Sequence, residues 1–268
     1  MATVPHRVSE AEPLVLRSER EGVVTLSLNR PKQLNALCEA MLDALTAELE
    51  AIGEDAGARV VILAGSGSNF CAGHDLKELR GRRDQDWYRA VFGKCIALMR
   101  RMTEIPQPVI ARVQGIATAA GCQLVAGADL AIASENARFA TSGINVGLFC
   151  STPAVPLTRV VPAKPAFEML ITGEFIDAAE ACRIGLVNRV VPADGLDDAV
   201  AELAGKILAK SPLAVATGKR LIHAIRGQDL EKAYAIAGET MACNMMAEDV
   251  GEGIDAFMQK RPPEWKGR

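Results

Sequence analysis

The sequence predicts an α/β protein with an all-helical C-terminal part, and three observations carry that reading. Apolar runs of strand length alternate with amphipathic helical stretches across residues 23–191. From about Gly195 onward the apolar spacing is helical only. No apolar run approaches the roughly 18 residues that a membrane-spanning helix needs. Strands interleaved with helices favour a parallel sheet with helices packed on it. The chain is therefore divided into a flexible N-terminus at 1–13, a core at 14–194 and a helical part at 195–268.

Each element follows from local chemistry. VVTLSL (23–28) alternates as a half-buried strand and is closed by the turn NRPKQ. Leu37, Met41, Leu45, Leu49 and Ile52 recur at helical spacing, which predicts a helix over 39–52. VVILAG (60–65) is continuously apolar, as a strand covered on both faces would be. A Gly/Ser/Asn loop, SGSNFCAGHDLKEL, runs from it into a short helix. A helix over 84–102 is stopped by the prolines of IPQP, and VIARV (109–113) follows as a strand. GIATAAGCQLVAGADLAIAS reads as loop, short helix and strand 129–133. Helices are expected near 154–172, and Asp177 with Glu180 forms a capping box for a helix over 178–184. LVNRVV (186–191) is the last strand; the helices beyond it break at Ser211-Pro212 and near Gly227.

Composition narrows the function classes. Hydrophobic residues make up 49% of 268 and charged residues 24%, which is globular. A net charge of -3 gives no bulk attraction to nucleic acid or to an anionic membrane, so neither is expected as a partner. The N-terminal MATVPHRVSEAEP has no apolar core, and its acids Glu10 and Glu12 argue against a transit peptide; a cytoplasmic location is expected. Seven scattered cysteines without a CxxC pair read as reduced thiols, mostly buried. With only His6, His74 and His223 there is no His-rich metal site, and no metal is expected.

VVILAGSGSNF begins like a dinucleotide-binding turn, but Phe70 stands where the third glycine would be. Two loop-to-helix junctions are more informative. In CAGHDLKEL, Ala72 and Gly73 precede His74; in TAAGCQL, Thr118 to Gly121 are all small. Free N–H groups at such junctions can bind an anion or a developing oxyanion where no side chain blocks the approach. Spacing alone does not bring the two junctions together.

The segments NAL (35–37), FCAGHDLKEL (70–79), PVIARVQG (108–115), AGCQL (120–124), ADLAIA (128–133), FATSGINVG (139–147) and EGIDAFMQKRP (252–262) resemble the crotonase superfamily. The AGHDLKEL and NVGLFCSTP segments are most similar to its enoyl-CoA hydratase domain-containing protein 3 group. The resemblance implies a crotonase-type spiral of ββα units carrying an acyl-CoA site, with a C-terminal helical trimerisation subdomain and assembly as a homotrimer or hexamer. It implies lyase chemistry in fatty acid and acyl-CoA metabolism, with no cofactor beyond the coenzyme A of the substrate. Carried over, the backbone N–H groups of His74 and Ala120 form the oxyanion hole, so the His74 imidazole need not take part and can be exposed or capping. Ala72, Asp75, Lys77, Gly121, Cys150 and Lys260 fall at substrate-binding positions, with Lys77 and Lys260 near the CoA phosphates.

The chain departs from the family at the two catalytic glutamates of hydratases, which fall on Gln123 and Gly143 here. A glutamine can hydrogen-bond water but cannot take its proton near neutral pH, and glycine offers no side chain. Losing general acid–base help typically costs about 10²–10⁴ in rate. Asp75, Glu78 and Cys150 are the nearby candidates for a substitute base, although Asp75 also suits a bracing role in its own loop. Three activities fit: a hydratase/isomerase-family enzyme with an altered mechanism, a methylmalonyl-CoA decarboxylase-like enzyme, or a non-catalytic acyl-CoA-binding protein. The tyrosine position of such a decarboxylase is Cys150 here.

Overall fold

The computed structural model describes residues 12–268, so the flexible segment expected at 1–13 falls almost wholly outside the described residues. β1 (Val15–Arg20) and β2 (Val23–Leu28) form an antiparallel hairpin. Val24, Leu26 and Leu28 point inward from β2, as the alternation requires. β3 (Val60–Gly65), β4 (Val109–Val113), β6 (Leu130–Ser134) and β9 (Arg189–Val191) add to β2 in parallel, giving the sheet order β1-β2-β3-β4-β6-β9. β1 was not expected, because its side chains after Val15 are exposed and leave no apolar pattern.

A second, smaller sheet holds β5 (Ile116–Thr118), β7 (Arg138–Ala140) and β8 (Ile176–Asp177). Isolated pairings Cys71–Ala117 and Leu37–His74 extend it. The chain thus lays β4 in one sheet and β5 in the other, then β6 and β7, which generates the spiral. Strands of two or three residues carry too few side chains for a periodic signal, so β5, β7 and β8 were invisible in the sequence.

Two helices fill the main core. α1 (Glu39–Glu54) buries Met41, Leu42, Leu45, Leu49 and Ile52. α2 (Leu76–Gly81) is short, and α3 (Gln85–Glu104) buries Trp87, Val91, Cys95, Leu98 and Met102 against α1. α4 (Ala120–Gly127), α5 (Ser151–Val160), α6 (Ala163–Thr172) and α7 (Ala178–Arg183) follow along the spiral. Asp177 caps α7 by accepting from the Glu180 N–H at 2.8 Å, while the Glu180 carboxylate turns to Arg183.

Every described element after β9 is helical: α8 (Leu196–Leu208), α9 (Pro212–Ile225), α10 (Leu230–Asn244) and α11 (Glu248–Gln259). α8 nevertheless packs on the sheet. Its Leu196, Val200 and Ala204 cover Val60, Ile110 and Ile132, which is why those strands are apolar on both faces. α9 is pinned by a buried polar cluster. Lys219 Nζ donates to the Met102 and Gln107 carbonyls at 2.7 and 2.8 Å and reaches Asp129 Oδ2 at 2.8 Å. Asp129 also accepts from the Val109 N–H at 2.8 Å and meets His223 Nε2 at 3.2 Å. The C-terminal residues fold back on α9: Asp249 accepts from Ser211 Oγ at 2.6 Å and from the Lys266 N–H at 2.7 Å.

Candidate functional site

The loop after β3 is laced into the second sheet on both sides. The Cys71 N–H donates to the Ile116 carbonyl at 3.0 Å, and the Thr118 N–H returns to the Cys71 carbonyl at 3.0 Å. On the other side Leu37 donates to the Gly73 carbonyl at 2.8 Å and accepts from the Asp75 N–H at 3.0 Å. Leu37 therefore uses the groups of Gly73 and Asp75, and the N–H of His74 faces away from it. There β5 has ended and α4 begins, so no strand receives that N–H. Among the described residues it has no acceptor, and neither has the N–H of Ala120 in the first turn of α4.

The two junctions meet. A methyl group placed on Gly73 would stand 3.0 Å from Ala120 N and 2.8 Å from Ala119 Cβ, and the Gly73 φ of 90° suits glycine alone. A methyl on Gly121 would lie 2.0 Å from the Cys71 carbonyl oxygen, so α4 packs its first turn on the loop backbone. Ala119 bears the strain of this approach, with φ 50° and ψ -118°, held by its N–H to the Ala140 carbonyl at 3.0 Å.

Both unpaired donors border a cavity of about 240 Å³ whose wall includes Ala72, His74, Ala120, Gly143 and Cys150. Leu76 and Leu79 of α2, Phe92 of α3, and Val146, Leu148 and Phe149 make most of that wall apolar. Among the described residues no Lys, Arg, Asp or Glu lines it. Two adjacent N–H donors beside such a cavity can receive the oxygen of a carbonyl whose apolar substituent fills the space.

The remaining expected residues lie elsewhere. Asp75 caps α2, accepting from the Lys77 and Glu78 N–H groups at 3.0 and 3.3 Å, and pairs with Arg30 at 2.9 Å. Burial raises its pKa, but Arg30 and the two N–H groups win and hold it below the usual carboxylate range. Glu78 accepts from the Glu39 N–H at 3.0 Å. Both carboxylates serve the frame, and neither reaches the cavity wall. Lys77 is exposed on α2, and Lys260 is exposed at the end of α11 in a left-handed turn with φ 53°. Gly121 is a packing contact.

Gln123 is 3% exposed and does not line the cavity; its Oε1 lies 4.0 Å from Cys95 Sγ of α3. Gly143 borders the cavity, but a methyl there would stand 2.6 Å from the Leu148 carbonyl oxygen and 2.8 Å from Cys150 Sγ. The Leu148 carbonyl and the Cys150 side chain thus fill the space a side chain at 143 would need. Burial pushes the Cys150 thiol pKa up, only partly offset by the Gly143 N–H, so this sulfur stays protonated and is not a ready base or nucleophile.

The His74 imidazole is neither exposed nor capping. Both ring nitrogens are enclosed without a hydrogen-bond partner, and the ring meets Phe92 edge-on at 5.3 Å. Burial lowers its pKa to about 4, an effect the nearby Leu37 carbonyl only partly opposes, so the ring is neutral near pH 7. The sequence also concealed Ser142, which lines the cavity and lies 2.7 Å from Thr118 Oγ1. A serine in a 3₁₀ turn has no pattern of its own, and Phe92 reaches the wall from a helix distant in sequence. Among the described residues no three His, Cys, Asp or Glu side chains cluster as metal ligands.

Known proteins resemble this chain over almost its whole length. Residues 18–268 fit the family model described as enoyl-CoA hydratase/isomerase. The enoyl-CoA hydratase domain-containing protein 3, mitochondrial, of Rattus norvegicus is 45% identical, over 96% of this chain and 86% of the relative. The 2,3-dehydroadipyl-CoA hydratase of Escherichia coli (strain K12) is 36% identical, over 96% of this chain and 100% of its own. Among solved structures, an enoyl-CoA hydratase of Mycobacterium smegmatis superposes with a TM-score of 0.93 at 56% identity, covering 95% of this chain and 99% of that one. Human enoyl coenzyme A hydratase domain-containing protein 3 gives 0.92 at 43%, covering 94% and 100%. The names of the domain-containing protein 3 relatives, from rat to human, include "mitochondrial", which overturns the cytoplasmic expectation. That expectation rested on the composition of a few N-terminal residues, a weak guide to compartment. The family match over almost the whole chain and the near-identical fold lead to one conclusion: this chain belongs to the enoyl-CoA hydratase/isomerase, or crotonase, family.

Proposed function

We propose that this protein binds acyl-CoA thioesters, seats the thioester carbonyl oxygen between the N–H groups of His74 and Ala120, and stabilises the enolate form without the usual pair of carboxylates. One observation carries the reading: two adjacent, unpaired backbone donors open on an apolar cavity. Each donor aimed at a developing oxyanion is typically worth about 3 kcal/mol. Family membership supports the ligand class and, through it, a self-assembled protein acting in acyl-CoA metabolism. Lys77 and Lys260 would meet the CoA phosphates, Lys260 from a neighbouring subunit.

Ordinary hydration is the step this site lacks. Water addition needs a group to take the water proton, and here Gln123 cannot and Gly143 has nothing to offer. The space at Gly143 is also closed by Leu148 and Cys150. These facts favour a second reading, a protein that holds acyl-CoA and turns it over little or not at all.

Calorimetry with crotonyl-CoA and free CoA tests the ligand class, and binding of neither ends the proposal. A hydration assay then tests the chemistry. The native protein should run about 10²–10⁴ below an enzyme with both carboxylates. The Gln123→Glu, Gly143→Glu double variant should regain little, because the Leu148 carbonyl and the Cys150 side chain must first move. Full activity in the native protein would refute the altered mechanism.

A further inference from the structure

The cavity wall carries three hydroxyl side chains, Ser142, Ser151 and Thr152, and of these Ser142 is hydrogen-bonded to a second hydroxyl beside the carbonyl site. Ser142 opens the 3₁₀ helix Ser142–Val146, and the residue before it is anchored by Thr141 Oγ1 donating to the Met169 carbonyl at 2.6 Å. The Ser142 hydroxyl lies on the cavity wall, 2.7 Å from Oγ1 of Thr118, which is itself 7% exposed and 3.2 Å from the Ala140 carbonyl. Thr118 ends β5, two residues before Ala120, so this hydroxyl pair stands beside the proposed carbonyl seat.

The chain of contacts decides what the pair can do. Thr118 has one proton and two acceptors, the Ala140 carbonyl and Ser142 Oγ. When it donates to Ala140, Ser142 donates to Thr118 and turns a lone pair to the cavity; when it donates to Ser142, the Ser142 proton is free for the cavity. Ser142 can therefore accept or donate. The chain ends on a carbonyl, which takes up no proton, so the pair serves recognition and not acid–base catalysis. A hydroxyl on a mostly apolar wall discriminates between ligands, because a ligand without the matching group leaves it unpaired.

Resting on the acyl-CoA reading above, we propose that Ser142, backed by Thr118, is a specificity-determining residue that hydrogen-bonds an oxygen substituent on the acyl chain, so that the site prefers a hydroxyacyl thioester to the plain one. The test is calorimetric binding of butyryl-CoA and of each 3-hydroxybutyryl-CoA enantiomer to the native protein, Ser142→Ala, Ser142→Thr and Thr118→Val. One hydroxybutyryl enantiomer should bind the native protein about tenfold more tightly than butyryl-CoA, a ratio worth one good hydrogen bond. That ratio should collapse toward one in Ser142→Ala, return in Ser142→Thr and shrink in Thr118→Val. A ratio near one in the native protein, or one that survives in Ser142→Ala, overturns the assignment while leaving acyl-CoA binding intact. Binding of neither thioester by the folded native protein overturns the acyl-CoA reading and this inference with it.

Discussion

His74 is asked to do two different things, and the conflict is measurable. In the proposed role its backbone N–H stays unpaired for a ligand, while its imidazole is enclosed with neither nitrogen satisfied. An unsatisfied buried polar group costs stability, about 1–3 kcal/mol in typical cases. The pH dependence follows from the lowered pKa. The folded imidazole takes a proton only below about 4, whereas an unfolded one does so below its ordinary 6.5. Between those values the unfolded chain binds more protons, so stability must fall as the pH drops through that window. Urea denaturation across the window should show this slope, and His74→Leu should flatten it; an unchanged slope in the variant would assign it to other groups. Gly143 makes the complementary point. It differs from a glutamate by more than a side chain, since Leu148 and Cys150 already occupy the volume.

Among the elements, α9 depends on charge buried at the seam with the core. Lys219 and Asp129 are nearly enclosed, with side chains 5% and 17% exposed. Burial lowers the Lys219 pKa against the pull of Asp129, while Asp129, penalised by the same burial, is held below its usual value by His223, Lys219 and the Val109 N–H. Removing one partner strands the other, which typically costs about 3–5 kcal/mol. Lys219→Ala should lower stability by that order in chemical denaturation, and Lys219→Ala with Asp129→Ala should cost less than the sum of the singles. A simple sum would show the pair to be uncoupled. α4 depends on something different, the absence of side chains at Gly73 and Gly121, which lets two backbones close on each other.

For the whole molecule, the exposed apolar surface points to assembly. Leu230, Tyr234 and Met241 of α10, Met246 just beyond it, and Phe257 of α11 are each more than 70% exposed. Exposed large apolar side chains in such number on helices neighbouring in sequence are unusual on a monomer surface. If the family mode of assembly applies, light scattering should give a mass several times that of the chain, and Met246→Glu with Phe257→Glu should reduce it toward one chain. A native monomer would refute this.

The sequence by itself determined the strand-and-helix order, the long elements and the small residues at both junctions, because each rests on local periodicity or on one residue's conformational freedom. Gln123 and Gly143 were legible as departures because a missing carboxylate is visible in one letter. Only the tertiary structure decided that the junctions meet, since Gly73 and Ala120 lie on different turns of the spiral. It alone showed Gln123 facing Cys95, the volume at Gly143 filled, and Ser142 paired with Thr118 on the cavity wall. Those facts depend on contacts between segments far apart in the chain, which local patterns do not encode.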